Sequence, residues 1–550
     1  MIATGQLAAL VVAALFLLPL LAGLSGTLVQ ASSGGDVVPM VREVLGDPRL
    51  RSALSLTVFT GGVASFLVAA LTVVILVSAH GTRAWRALIA ALPPLLAVPH
   101  AALAVGIAFL LAPSGWLVRL VSPTLTGFER PPVDWTIPDA WGISLIAGLV
   151  IKETPFLVLA CAAQLRGLDV DASLRIGRTL GYSPARCWSR LILPRLWPRI
   201  RLVFLAILAF NLAVVDMAIL LGPGHPPTLA VWLVQLISDP VTRHSAAVGA
   251  LLLTLLVAAA CASVLLMERL LGFVAVGRRR SGRRSRGSLA ARRVGQAIAW
   301  SLTVVGVLSL LVLPVWSLAS RWRFPDAWPS AWTLDHWTHR FGSVSEPAVA
   351  TVLFAVVTAV LATAAGIVWL EAERRGRVPR LDGLWYVPLL VPQTALLFGW
   401  QVWAFRWQLD GSWIVVLHAH WVYALPYVVL ILATAWRELD PRWMHASATL
   451  GVGYWKTLWR VRLPLLAGPV AQAAAVAVAV SVAQYLPTLL LGAGRQATLA
   501  TELVAGQGGM DRRSMATLAV LQAVLPLLAF LLALRWQRRQ SLRVPVAVVP

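Results

Sequence analysis

Charge is what this chain has little of: Asp, Glu, Lys and Arg make up 13% of its 550 residues. A soluble domain needs a solvated polar surface, and so small a charged fraction leaves little material for one of any size. Cysteine is scarcer still. Cys161 and Cys261 lie inside apolar runs and Cys187 in a polar loop, so no disulfide framework follows. Metal-ligand spacings such as Cys-x-x-Cys or His-Glu-x-x-His are absent, and no metal or cofactor is expected. Lysine occurs only as Lys152, followed by Glu153, and as Lys456, preceded by Trp455. A phosphate-binding loop requires Gly-x-x-x-x-Gly-Lys-Ser/Thr, and neither lysine fits it. No catalytic residues are expected either, because Lys152, Glu153 and Asp216 are too few and too asymmetric for a membrane enzyme.

Apolar length, by contrast, is abundant. Hydrophobic residues are 59% of the chain, and a helix needs ~20 of them to cross a bilayer. Twelve such spans are predicted, at about 7–29, 56–79, 87–112, 140–165, 200–222, 245–271, 295–318, 348–370, 384–405, 413–436, 466–491 and 515–535. The fold class expected is an all-α membrane protein. The first span is read as uncleaved rather than as a signal peptide, since Met1 to Gln6 carry no basic residue and the apolar run is longer than a signal peptide's core.

The sparse charge is unevenly placed. Loops after even-numbered spans, with the C-terminal tail and the charges at the adjoining span ends, hold 32 Lys and Arg against 8 Asp and Glu; the opposite loops hold 13 of each. Basic residues near span ends mark the cytoplasmic side, which places both termini and the central linker there. The net charge of +23 is then this bias plus attraction to the anionic lipid bilayer, and no nucleic-acid partner is inferred. The tract GRRRSGRRSRGSLAARR, Gly277 to Arg293, reads as a cytoplasmic hinge beside lipid head groups.

The chain also repeats itself. GYSPARCWSRLILP (Gly181 to Pro194) returns as GVGYWKTLWRVRLP (Gly451 to Pro464), shifted by 270 residues; Pro155 to Asp169 matches Pro426 to Asp440, and Leu220 to Ala230 matches Leu490 to Ala500. Register held through segments of mixed polarity indicates two copies of one folding unit. The organisation predicted is a first six-helix domain, 1–276, a basic linker, 277–294, and a second six-helix domain, 295–550, with a short basic tail.

Each copy places its most faithfully repeated segment in the loop between its fourth and fifth spans. A short helical stretch runs to Gly181 or Gly451, where glycine can end a helix in the left-handed conformation. A second amphipathic stretch carries Trp188, or Trp455 and Trp459, among arginines, and Pro194 or Pro464 falls at the first turn of the next span. A segment of this kind commonly rests on the bilayer. The identical Gly-to-Pro spacing, once per half, fits a pair of docking knobs better, each received by one of two copies of a partner.

The pattern Gly, nine residues, an apolar residue, any residue, Leu-Pro resembles the loop signature of permease subunits of ATP-binding-cassette importers. Gly181, Leu191, Leu193 and Pro194 fit it, as do Gly451, Val461, Leu463 and Pro464. The fused arrangement is similar to permeases of the ferric-iron and thiamine importer group. The resemblance implies loops that couple to two copies of a cytoplasmic ATP-binding subunit, an external solute-binding protein, and location in a bacterial plasma membrane. The chain departs from the signature's Glu-Ala-Ala start, reading Arg175, Ile176, Gly177 and His445, Ala446, Ser447.

Within the membrane, Lys152 and Glu153 in the fourth span and Asp216 in the fifth are costly unless they face the bundle interior or water. They are read either as a substrate pathway or as a charge pair fixing helix packing, with Asp216 a candidate partner of Lys152. Pro155 with Pro426, and Pro93 with Pro94, mark candidate kinks. A gradient-driven carrier with a six-plus-six repeat is the alternative, although such a carrier should concentrate its repeat near midplane rather than in a loop. The charge bias predicts that a reporter fused after Pro550 folds on the cytoplasmic side; a C-terminal fusion active only outside would reverse the orientation.

Overall fold

The structure is a computed structural model that describes residues 2–33, 37–133, 136–279, 289–338 and 341–543. The middle of the basic linker, 280–288, and the end of the tail, 544–550, lie outside the described residues. In the first half the helices are α1 (Ile2–Ser32), α2 (Val37–Gly46), α3 (Pro48–Ala79), α4 (Arg83–Ala97), α5 (His100–Leu111), α6 (Trp116–Val121), α7 (Ile143–Leu165), α8 (Val170–Thr179), α9 (Pro184–Cys187), α10 (Leu193–Ala213), α11 (Asp216–Leu221), α12 (Leu229–Ser238) and α13 (Arg243–Arg279). The second half has α14 (Leu289–Leu318), α15 (Asp335–Thr338), α16 (Phe341–Arg374), α17 (Val387–Leu390), α18 (Gln393–Arg406), α19 (Trp413–Glu438), α20 (Arg442–Thr449), α21 (Tyr454–Thr457), α22 (Leu463–Leu465), α23 (Ala467–Ala483), α24 (Leu486–Gly492), α25 (Leu499–Ala505) and α26 (Arg512–Arg543). Strands β1 (Ala319–Arg321) and β2 (Ala331–Trp332) form the only sheet among the described residues. Helices α13 and α14 extend into what the sequence reads as linker, which shortens it.

Among the described residues ten helices are long and apolar enough to cross a membrane, or eleven if the bent pair 454–465 and 467–483 is one span. The difference from twelve lies in the second half, where no helix of the third span qualifies and the fifth counts only if the bent pair is joined; the third spans of both halves are nonetheless interrupted. The predicted segment 87–112 divides at Val98–Pro99, and 384–405 divides at Val391–Pro392. A residue before proline is driven out of the helical region; Val98 sits at ψ 132° and Val391 at ψ 133°. The fifth spans are also broken, after Ala213 and after Ala483, and restart at Asp216 and Leu486. The short helix that follows is tied in the same way in both halves. The backbone N–H of Leu229 donates to Thr57 Oγ1 at 2.8 Å, and that of Leu499 donates to Thr351 Oγ1 at 2.9 Å. The LLGPG and LLGAG segments end α11 and α24, as termination requires.

The helix that opens each half packs on the other half. Helix α1 crosses α18 where Gly23 and Gly26 meet Gly399, close enough that a side chain at Gly399 would overlap the Gly23 carbonyl. Thr27 Oγ1 donates to the Ala395 carbonyl at 2.7 Å beside this crossing. Helix α14 meets α5 likewise, with Gly106 against the Ser309 carbonyl. Small residues let helix backbones approach in a membrane, where no hydrophobic drive separates helix from lipid. At the far end from the repeated loops, the buried Arg119 donates to the Ser114 and Arg323 carbonyls at 2.9 and 2.7 Å and lies over the Trp322 ring, which pins the β1–β2 hairpin region to α6. Replacing Gly399 by Leu should destabilise the protein by about 1–3 kcal/mol. Gly62→Leu, a site with open space around it, should be near neutral; thermal unfolding of the two variants in detergent checks this.

Candidate functional site

Each repeated loop folds as a helix, a tight turn and a second helix. Asp169 caps the first, accepting from the Ala172 N–H at 3.2 Å, and Asp440 accepts from the Arg442 N–H at 2.9 Å. Helix α8 ends at Gly181, φ 79°, and α20 at Gly451, φ 70°. The closing bonds match: Tyr182 N–H to the Gly177 carbonyl at 2.9 Å and Gly181 N–H to Arg178 at 2.9 Å; Val452 N–H to Ser447 at 3.0 Å and Gly451 N–H to Ala448 at 3.0 Å. This six-to-one and five-to-two pairing satisfies carbonyls that a helix end leaves open. The chain then runs through α9 or α21 and a π-helical turn, Trp188–Ile192 or Leu458–Arg462, into the fifth span, with Pro194 and Pro464 in its first turn.

The structure separates the loop residues singled out by sequence. Leu193, Val461, Leu463 and Pro464 are partly buried, while Gly181, Leu191, Pro194 and Gly451 are exposed. The two tryptophan groups are not equivalent. Trp188 is buried against His80, and its counterpart 270 residues on is the buried Leu458; Trp455 and Trp459 are exposed. Burial between Trp85 and Trp188 pushes the His80 imidazole below its usual pKa, against the opposing pull of Asp171. Two exposed apolar groups are ones that sequence reasoning passed over: Leu180, 54% exposed, and Leu450, 79% exposed, each immediately before the turn glycine. Ile176 and Trp443 flank them. The available signal was an identical leucine at the same offset in both copies.

The departures from the Glu-Ala-Ala start also become intelligible. Arg175 and His445 are exposed on the outer surface. Gly177 is buried so tightly against Cys187 that a side chain there would overlap Sγ. In the second copy the corresponding residues are Ser447 and Thr457, both buried. The second module is further fastened by Arg462, whose Nη1 lies 3.1 Å from Glu371 Oε2 and whose Nη2 donates to the Trp436 carbonyl at 3.1 Å. Arg437 bridges Glu373 and Asp382, both at 2.7 Å. Burial pushes the Asp382 carboxyl up, but hydrogen bonds from Arg437 and Arg380 more than offset it and leave the pKa below the ordinary value.

The intramembrane charges take different roles. Lys152 is buried, and its Nζ donates to the carbonyls of Leu95 at 3.1 Å, Leu96 at 3.0 Å and Val98. Those carbonyls stand open because the third span breaks at Val98–Pro99. Lys152 therefore caps a broken helix; among the described residues it makes no direct ion pair with Asp216, although the two groups attract each other electrostatically. Glu153, also buried, faces α5, with His100 Nε2 3.0 Å from its Oε1. Asp216 opens α11 at the break in the fifth span. Tyr427 interacts electrostatically with Glu153 and Tyr485 with Asp216, so this polar cluster borders the second half. Among the described residues no three His, Cys, Asp or Glu side chains are grouped to hold a metal.

Two matched modules in a helical bundle with at least ten membrane-length apolar helices fit a membrane transport subunit. Residues 379–544 match the family described as binding-protein-dependent transport system inner membrane component. The chain is 34% identical over 501 residues, 89% of its length and 88% of the relative's, to the inner membrane ABC transporter permease protein YnjC of Escherichia coli strain K12. It is 28% identical over 213 residues, 36% of its length and 78% of the relative's, to the molybdenum transport system permease protein ModB of Mycobacterium tuberculosis. The chain belongs to the family of inner-membrane ABC transporter permeases. It is a multi-pass transport component of the inner membrane rather than an enzyme, and the gradient-driven alternative is set aside.

The capping role of Lys152 is testable. Lys152→Met leaves two buried carbonyls, of Leu95 and Val98, and the part-buried Leu96 carbonyl unanswered, at about 1–3 kcal/mol for each buried one, and should sharply lower the unfolding temperature in detergent, whereas Glu153→Gln, which still hydrogen-bonds His100, should lower it little. Equal stability of Lys152→Met and wild type would refute the cap.

Proposed function

We propose that this chain forms the translocation pathway of an ATP-driven importer as two six-helix domains, 1–276 and 295–550, joined by the basic linker 277–294. Both termini face the cytoplasm. Two copies of a separate ATP-binding subunit dock on the modules around Gly181 and Gly451, and an external solute-binding protein delivers the solute. The observation that carries this reading is the same glycine-closed helix pair, occurring twice in one register, each presenting an exposed leucine among the described residues.

The transmission follows from chain continuity. The first module runs without a break through Leu191, Leu193 and Pro194 into α10, and the second runs through Val461, Leu463 and Pro464 into α22, which meets α23 at a bend of 77°. A shift of the module as ATPase subunits close is thereby passed to α10 and to α22–α23, and from them to the breaks beside Asp216 and Leu486. Lys152 holds the neighbouring break in shape, and Glu153, His100 and Asp216 form the polar part of the pathway.

Co-purification with a co-expressed ATPase subunit tests the docking. Wild type should retain two ATPase copies per chain. Leu180→Asp or Leu450→Asp should weaken association at least about 10-fold by exchanging a buried leucine for a charge, and Gly181→Pro or Gly451→Pro should abolish it by distorting the turn. Asp216→Asn should keep the ATPase and lower solute uptake. Association indifferent to all four loop substitutions would refute the docking role.

A further inference from the structure

A cleft of about 920 Å³ opens at the surface of the second half, between α1, α16, α21–α23 and α26. Its walls are apolar and made concave by small side chains, among them Ala359 and Ala364 on α16 and Ala474 on α23. Along α16 the lining runs from Val356 to Ala372, about 24 Å at 1.5 Å per residue, which covers the ~15 Å hydrocarbon depth of one leaflet and reaches its head-group zone. At that end the lining turns basic and aromatic, with Arg375, Arg377, Trp455, Trp459 and Trp536.

We propose that this cleft binds an anionic glycerophospholipid of the leaflet on the loop side, with an acyl chain along α16 and the phosphate at Arg377 and Arg375. Charge complementarity selects this occupant. The Arg377 side chain has no hydrogen bond or ion pair among the described residues, whereas Arg375 is held by Glu371, at 3.3 Å, and lies 3.3 Å from the centre of the Tyr454 ring. Trp455 and Trp459, 60% and 66% exposed, are indoles at the depth where such rings favour the head-group boundary. Basic pockets between membrane helices are fitted to anionic head groups.

The matching place in the first half is filled by another helix. The matching ties from Thr57 and Thr351 set a register of 294 residues between α3 and α16, which pairs Ser78 with Ala372 and Arg83 with Arg377. Ala372 lines the cleft. Ser78 is covered by α14: Arg292 and Gln296 each donate to its carbonyl at 3.0 Å, and Gly295 packs on its side chain. The lipid site and the proposed ATPase docking surface use different sides of the second module, since Trp455 and Trp459 turn to the cleft and Leu450 does not line it.

Native mass spectrometry of the full chain taken from nanodiscs of phosphatidylcholine doped with phosphatidylglycerol provides the test. Wild type should carry one phosphatidylglycerol in clear preference to phosphatidylcholine. Arg377→Gln should reduce its retention about fivefold, the effect of losing one basic contact at the membrane surface. Ala474→Trp, which fills the cleft, should remove it, and Arg83→Gln should leave it unchanged. Equal retention of both lipids, retention indifferent to Arg377→Gln and Ala474→Trp, or a polypeptide in place of lipid would each overturn the assignment. Ala474→Trp is scored only beside an unfolding temperature matching wild type, and Arg377→Gln, at the cleft's rim, carries the test if that variant misfolds.

Discussion

A polar backbone group inside a bilayer has no water to turn to, and every interruption of a helix there must be answered by protein. This chain interrupts its helices repeatedly, at Val98–Pro99 and Val391–Pro392 in the third spans and after Ala213 and Ala483 in the fifth. The architecture depends on how these openings are closed. Lys152 closes one with three bonds from a single ammonium. Thr57 and Thr351 each answer a helix start with a hydroxyl from a neighbouring helix. A buried cation placed at the C-terminal end of a helix is also favoured by the helix dipole, so the residue most costly to insert is the one best accommodated once folded.

The halves are interlocked rather than merely joined. Helix α1 lies on α18 and α14 lies on α5, both through close backbone approach at glycine. Because each half holds the other's opening helix, a rocking motion must carry that helix along or slide it over a glycine contact. The outer clasp around Arg119 adds a polar anchor at one end, while the modules occupy the other. The polar cluster of His100, Glu153 and Asp216 lies between these two ends of the bundle and beside Tyr427 and Tyr485 of the second half.

Much of this was legible in the sequence, and the limits have physical reasons. Hydropathy registers apolar length, so it located long spans such as α7 and α19 closely; it cannot register a break of two residues, and 87–112 and 384–405 were read as continuous for that reason. Gly181 and Gly451 were identified because left-handed backbone has a residue signature, and the structure finds them there. Leu180 and Leu450 were passed over because exposure depends on which side of a short helix meets the bundle. The role of Lys152 was out of reach for a related reason: its partners are backbone carbonyls, which have no letter in a sequence, so a side-chain carboxylate was the natural partner to seek. Gly177, read as a departure from a signature, is explained only by the position of Cys187.

The two breaks at Val98–Pro99 and Val391–Pro392 look alike in outline, but only the first is gripped by an ammonium; the residue in the corresponding place of the second half is Tyr423. A joint held by three charge-assisted bonds resists bending more than one without them. The molecule is thus nearly symmetric in shape and unequal in compliance. A push applied evenly to both modules would flex one side and turn the other as a block, and the passage between them would open off-centre.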